Sequence, residues 1–516
     1  MRSSGIKAAI AALLLFGCSI VFADLREDAA RVFTLLFEGN TPVADSIAGK
    51  LTALDPANPY FAYLHSMTQY EMGDYTGALE QADISLRNLP AVEAGIRDQV
   101  LANKTYLDQA VPIVAGMKRV EGKHFIYCYD NPLDSVLAGE VMEVMEGAYS
   151  NLGADLGYYP PDKIRLEAYP DRASFITVST LSEDEVKRTG TIALCKFNRM
   201  LFTSPRALVQ GYDWKTTICH EYTHFIINRV SRGRLPLWMH EGMARFEETR
   251  YAGGKGGELS LVEQDLLYRA VKTNTFVPLS KMHPSMAKLK DAEESGTAFA
   301  EVQMAMKLIY EQGGYAKMRS ILDICAKNGN LDSALGGLAN FEKQLFDSIR
   351  RLNITPVEGV TVMQKAFAED TAQDEAFLFR KYVRLADMLL ERHRTQAAIK
   401  EMERADETGK RHSPWIINQI GLLMEKNGEP EKARSMYDRS ILLFPEYCNG
   451  YFNRAMARKE RGDTEGAIKD VEAALGLNPF HIPARELYAG LLSGAGRKQE
   501  GAKQKRILEF LQAKRS

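Results

Sequence analysis

His220-Glu221-Tyr222-Thr223-His224 is an H-E-x-x-H segment lying in a stretch with helical spacing. On a helix, residues i and i+4 share one face, about 5–6 Å apart between Cβ atoms, so two imidazoles placed there converge on a single cation. Glu221 flanks that face, close enough to reach a metal-bound water but not the metal itself. The chemistry this pattern suits is hydrolysis. Zn2+ lowers the pKa of a bound water from ~15.7 to about 7, and the glutamate takes the remaining proton and delivers it to a leaving amine.

A catalytic zinc takes three protein ligands and keeps a fourth position open for water. Two layouts supply the third ligand. One needs a glycine at 227 and a histidine at 230, and Ile227 and Val230 exclude it. The other takes a glutamate from the next helix. Leu235 to Ala244 reads as the start of that helix, with Pro236 where a first-turn proline belongs. Glu241 follows His224 by 17 residues, enough for one loop and a return turn, and Gly242 beside it lets two helix backbones come close.

The stretch from His220 to Glu248, HEYTHFIIN…LPLWMHEGMARFEE, resembles the peptidase MA-like family of gluzincin metallopeptidases, whose pattern is H-E-x-x-H, a short loop, then P-x-W-x-x-E-G-x-A. The resemblance implies an α+β zincin-like domain with the motif helix under a mixed sheet. It implies one zinc ion held by His220, His224 and Glu241, and Glu221 as general base. Weaker family-like features run over about 120 to 352. One departure stands out. Many relatives carry a tyrosine near the start of a late helix, where this chain has Ala298-Phe299-Ala300 and no hydroxyl. Gluzincins stabilise the oxyanion with a Tyr or His; His240, Tyr251 and Tyr222 are the candidates, with His240 first. Without such a donor the rate falls by ~10²–10³.

The elements that must position these residues are a mixture of strands and helices between about 116 and 355. His124–Tyr129, Ile164–Tyr169, Ile192–Phe197 and Met200–Thr203 read as strands, the last two separated by a turn at Asn198-Arg199. Met200–Thr203 is either a sheet edge on which an extended peptide could add as a strand or an ordinary inner strand. Ser135–Leu156 is an amphipathic helix. Asp213 reads as the N-cap of the motif helix Trp214–Asn228, which Leu237–Glu248 follows. Gly253–Gly257 is a surface loop, and Thr297–Tyr310 and Tyr315–Cys325 are further helices. Cys219 turns about 100° away from His220 on the helix and reads as packing. His65, His124, His283, His393, His412 and His481 have no partner at ligand spacing and read as structural or surface residues.

On either side the chain turns helical. Gly428, Ala433, Ser440 and Pro445 recur 34 residues later as Gly462, Ala467, Ala474 and Pro479, the period of a tetratricopeptide repeat. Small residues let paired helices approach, and each proline stops a second helix because it lacks the needed N–H. The array spans 374–516, with a weaker first unit at about 376 to 408. Gly73, Ala78 and Pro90 keep the same offsets, so 24–110 reads as one or two similar repeats. Such repeats imply a concave surface for a protein partner or for a substrate protein.

Composition sets the frame. The 516 residues are 45% hydrophobic and 26% charged, which excludes disorder over most of the length. Lys+Arg 65 against Asp+Glu 67 leaves no basic excess for nucleic acid. Arg2 and Lys7 precede an apolar run, Ala8–Phe16, and Val21-Phe22-Ala23 offers a cleavage site, so residues 1–23 read as a signal peptide and the protein as exported to the periplasm or cell envelope. Leu15-Phe16-Gly17-Cys18 also resembles a lipobox, which would anchor the chain to a membrane at Cys18. The remaining cysteines, Cys128, Cys195, Cys219, Cys325 and Cys448, form no C-x-x-C pair and read as buried small hydrophobes.

Taken together, these residues lead to the expectation of an exported zinc metallopeptidase, with 116–355 as the peptidase domain. The alternatives are a cell-envelope repeat scaffold whose zincin domain is non-catalytic, or a zinc hydrolase of another bond type such as a glycan.

Overall fold

A computed structural model describes residues 23–90, 93–179, 181–196, 198–282, 286, 289–357, 359–360, 377–408 and 413–514. The leader reading at residues 1–22 lies outside them, as do Cys18, His283 and His412. The described chain is mostly helical around one small sheet. It opens with two helix pairs, α1 (Ala23–Phe37) with α2 (Thr41–Leu54) and α3 (Pro59–Met72) with α4 (Tyr75–Asn88), then a long α5 (Ala94–Val114). Gly73 closes α3 in the left-handed conformation that a glycine adopts without Cβ strain, and Asp74 caps α4.

Next come β1 (Lys118–Glu121), β2 (Phe125–Tyr129), α6 (Ala138–Leu156), β3 (Ile164–Tyr169), α7 (Arg172–Ser179), α8 (Glu183–Thr189), β4 (Ala193–Lys196) and β5 (Arg199–Thr203). Sheet order is β1-β2-β3-β5-β4. β2, β3 and β5 run parallel, while β1 and β4 pair antiparallel at the two edges. β1 has no counterpart in the sequence reading, because Lys118–Glu121 is short and largely exposed, with no apolar alternation.

Met200–Thr203 is therefore an inner strand and not the sheet edge. β4 folds back over its outer side through Asn198, which has a φ of 66°. The edge on that side belongs to β4, and β1 forms the other.

Behind the sheet lie α9 (Trp214–Val230), α10 (Leu237–Glu247), α11 (Leu261–Thr273), α12 (Ala292–Asn328), α13 (Leu331–Leu335) and α14 (Leu338–Arg350). The two late helices expected from the sequence are both present, as the two arms of the span α12, separated by a kink where Gly313 and Gly314 leave helical geometry. The C-terminal helices then pair as α15 (Phe377–Glu391) with α16 (Thr395–Thr408), α17 (Pro414–Lys426) with α18 (Pro430–Leu443), α19 (Cys448–Glu460) with α20 (Thr464–Leu477), and α21 (Ile482–Gly494) with α22 (Lys498–Ala513). Gly421 shows why small residues recur in these pairs: a Cβ there would meet the Tyr437 ring.

The largest hydrophobic core does not stop at the sheet. It runs from Tyr70 and Tyr75 through Phe125, Leu166, Ile226 and Met239 to Phe480 and Leu511. Helices from both ends of the chain thus share apolar packing with the sheet and with α9. Cys128, Cys195, Cys219, Cys325 and Cys448 form no disulfide, and all but Cys195 are buried.

Candidate metal centre

α9 is set by local rules. Asp213 caps it, accepting from the Thr216 N–H at 3.2 Å and the Thr216 hydroxyl at 2.6 Å. Ile218, Cys219, Tyr222, Phe225 and Ile226 bury one side of the helix. That packing leaves His220 and His224 on the opposite side, facing α10. Their rings lie 4.8 Å apart between centroids, nearly perpendicular.

α10 delivers Glu241 between them. Its carboxylate oxygens stand 3.7 Å from His220 Nε2 and 3.7 Å from His224 Nε2. One donor atom from each of the three residues fits within a 4.8 Å group, and it is the one cluster of its kind among the described residues. Gly242 makes this placement feasible: a Cβ there would stand 2.6 Å from the Val302 carbonyl of α12. The close backbone approach is thus between α10 and α12.

The donor set can be compared with the demands of a metal. Zinc binds imidazole nitrogen and carboxylate oxygen at about 2.0–2.2 Å, which puts tetrahedral donors about 3.3 Å apart. Each imidazole stands 3.7 Å from a different oxygen of Glu241, and the three donors together span up to 4.8 Å, so side-chain adjustment of up to about 1.5 Å brings them to tetrahedral spacing. Two imidazoles and one carboxylate are also a ligand set that leaves a fourth position open. The residues present fit zinc.

Without a cation the three groups share charge unevenly. Burial opposes charging of His220, but the carboxylates of Glu241 and Glu248 outweigh it and push the ring up to about 9. Burial and the neighbouring rings hold His224 down at about 3. Burial acts against the Glu241 carboxylate too, yet the imidazoles beside it bring it down to about 2.

Glu221 is buried beside the cluster, and burial, with Glu241 nearby, pushes it up to about 7. Its Oε2 accepts from the Cys195 N–H of β4 at 2.5 Å, so the sheet edge fixes one carboxylate oxygen. The sequence gives no hint of this contact, because the donor is backbone on a strand 26 residues upstream. Glu248 is the second residue missed. It lies 3.1 Å from His220 Nδ1, on the far side of the ring from the cluster. The signal was present: 248 is seven residues after 241, the same face two turns on.

The candidate oxyanion donors separate. The His240 ring is 5.9 Å from the His224 ring, and burial holds it down at about 4, hence neutral. Tyr251 lies near the start of α9, interacting with Thr216, its hydroxyl pushed up to about 12 by burial. Tyr222 is fully buried against Phe125, edge-on at 5.3 Å, and is not at the cluster. Phe299 carries the Arg245 guanidinium over its ring at 5.3 Å. The Cys219 thiol is buried and points to the Glu247 carbonyl at 3.5 Å, as packing.

Comparison with known proteins speaks to the helices. A tetratricopeptide repeat family model matches residues 449–481. Human Tetratricopeptide repeat protein 36 is 36% identical over 58 residues, which is 11% of this chain and 31% of that protein. The curated relatives it matches are covered over 15% to 46% of their own length. The crystal structure of MamA aligns at 14% identity over 36% of this chain and 92% of its own, with a TM-score of 0.24. The structure of native yeast LTA4 hydrolase aligns at 11% identity over 77% of this chain and 66% of its own, with a TM-score of 0.30. Scores this low do not establish a shared overall fold. The comparisons identify a tetratricopeptide repeat in the C-terminal helices and lend no support to a zincin peptidase family.

Proposed function

We propose that this protein is a zinc-dependent hydrolase of peptide bonds, exported to the cell envelope, whose helical repeats bind a protein partner or a substrate protein. One observation carries the reading: His220, His224 and Glu241 bring three donor atoms within 4.8 Å of one another, with Glu221 on the same helix beside them. Bound zinc supplies Lewis acidity, polarising a carbonyl and making water a nucleophile near neutral pH. The chain's own residues do the rest. Glu221, held through one oxygen by the Cys195 amide, keeps the other free to take a proton from the attacking water and pass it to the leaving amine. His240, whose ring lies 5.9 Å from that of His224, is the donor this reading assigns to the oxygen on which negative charge develops. An extended peptide would pair on the outer side of β4 through backbone groups other than the Cys195 amide, which already holds Glu221.

A second reading is favoured by the comparisons. They match tetratricopeptide repeats alone, and repeats imply protein binding. Phe299, with no hydroxyl, points the same way. In this reading the protein is a repeat scaffold and its metal centre is non-catalytic, which fits the comparisons better than a peptidase does.

Metal content and Glu221→Gln decide between them. The hydrolase reading expects about one zinc per chain and cleavage of a peptide pool that falls by ~10²–10⁴ in Glu221→Gln with zinc retained. If the zinc-loaded wild type cleaves no faster than Glu221→Gln, the hydrolase reading is lost. The scaffold reading then expects a partner whose capture survives chelation.

A further inference from the structure

The helix that carries the metal residues is gripped at both ends by the helical repeats. At its start, the Tyr212 N–H donates to the Leu477 carbonyl at 3.1 Å. Leu477 ends α20, inside the matched repeat at 449–481. Gly211 has a φ of 69°, and a Cβ there would run into that same carbonyl. Tyr212 is fully buried and donates its hydroxyl to the Thr203 carbonyl of β5 at 2.6 Å. The next residue is Asp213, the cap of α9. The repeat itself is fixed, since Phe480 lies in the core shared with the sheet.

At the other end the first helix pair makes the grip. Arg229 Nη1 donates to Asn40 Oδ1 at 3.4 Å. A Cβ on Gly39, whose φ is 77°, would stand 2.7 Å from Asn228 Nδ2. Just past the helix, a Cβ on Gly233 would stand 2.8 Å from the Phe37 carbonyl. Both glycines have positive φ and no room for a side chain.

From these contacts we infer that the two repeat units position the metal centre by pinning α9 at both ends. α9 runs from Trp214 to Val230, about 25 Å at 1.5 Å per residue. His220 and His224 straddle its midpoint, where a rod held at both ends has the least freedom to tilt or slide. Metal ligands must hold their places within about 0.2 Å of ideal distances. Loosening either grip therefore lowers metal affinity, and by linkage metal binding tightens both grips. Anything that binds the repeats and shifts the Leu477 turn acts on the metal centre through α9. Gly211 and Gly39 are positioning residues and touch no ligand atom.

The inference rests on the reading of His220, His224 and Glu241 as a metal site, and the test keeps the two apart. Full-length wild type, Gly211→Val and Gly39→Val are compared by backbone hydrogen exchange without metal and by zinc affinity against a chromogenic chelator. Leu442→Gln, an exposed position on α18, is the control. Gly211→Val is expected to free the Tyr212 amide, raise exchange across residues 220–224, and weaken zinc binding roughly 5- to 150-fold. Gly39→Val is expected to do the same from the other end, which covers the case where one variant fails to fold. Zinc added to wild type is expected to slow exchange of the Tyr212 amide. A freed Tyr212 amide with exchange at 220–224 and zinc affinity both unchanged overturns the inference. Wild type that binds no zinc overturns the metal reading, while metal-free exchange at 220–224 still judges the grip.

Discussion

Glu248 accepts from one nitrogen of His220 and leaves the other for the cluster, which fixes the tautomer and the ring plane. A carboxylate in that position also makes the imidazole more basic. Glu248→Ala is expected to weaken zinc binding about 10- to 100-fold while leaving the melting temperature of the metal-free protein nearly unchanged, measured by chelator competition and thermal unfolding. A second residue governs pH dependence away from the centre. Glu301 on α12 is fully buried, with both oxygens accepting the Val277 N–H at 3.1–3.2 Å. Burial pushes its carboxyl up from 4.5 to about 8. The folded state therefore holds a proton that the unfolded state releases, and stability falls as pH rises from about 4.5 to about 8. Glu301→Gln is expected to melt higher than wild type at pH 9, with the gain vanishing toward pH 5. An equal gain at both values would show that Glu301 does not titrate in this window.

Among the elements, α10 must bring Glu241 to the imidazoles of α9 while packing on α12. Gly242 sets that second contact, since its backbone sits against the Val302 carbonyl. Gly242→Val is expected to cost about 1–3 kcal/mol in denaturant unfolding, the range for overpacking a tight interface. It also moves Glu241 away from His220 and His224, so zinc binding weakens with it. The edge strand is the other element that matters. β4 was legible as a strand in Ile192–Phe197, but a strand pattern does not say which neighbour it pairs with. Only the fold shows β5 inside and β4 outside, with the Cys195 amide turned to Glu221.

Across the whole molecule, a buried polar group ties the N-terminal helices to the sheet. Glu167 of β3 accepts from Arg165 Nε at 2.5 Å, the Tyr169 hydroxyl at 2.6 Å, the Tyr75 hydroxyl at 3.0 Å and Arg199 Nη1 at 3.2 Å. The Arg199 guanidinium also lies 4.7 Å from the ring centroids of both Tyr70 and Tyr75. Tyr70 and Tyr75 belong to the helical pair; Glu167 and Arg199 belong to the sheet. Removing one charge strands the other in a dry interior. Glu167→Leu is expected to cost about 3–5 kcal/mol in denaturant unfolding. The N-terminal helices are expected to lose protection from hydrogen exchange together with β3 and β5. Independent loss of the two regions would show that they are separate folding units.

The sequence by itself determined what rests on local spacing. His220 and His224 share a face because a helix repeats every 3.6 residues, and the 34-residue recurrence of Gly, Ala and Pro marked the C-terminal helix pairs. Asp213 was recognisable as a cap because its chemistry acts three residues along. What sequence could not decide were the contacts between segments far apart in the chain: the Leu477 carbonyl on Tyr212, the Cys195 amide on Glu221, the strand that forms the edge, and the placement of Tyr222 in the core instead of at the cluster. Each depends on which surfaces bury one another. That is a property of the packed molecule, where a backbone carbonyl 266 residues away can select a glycine at 211.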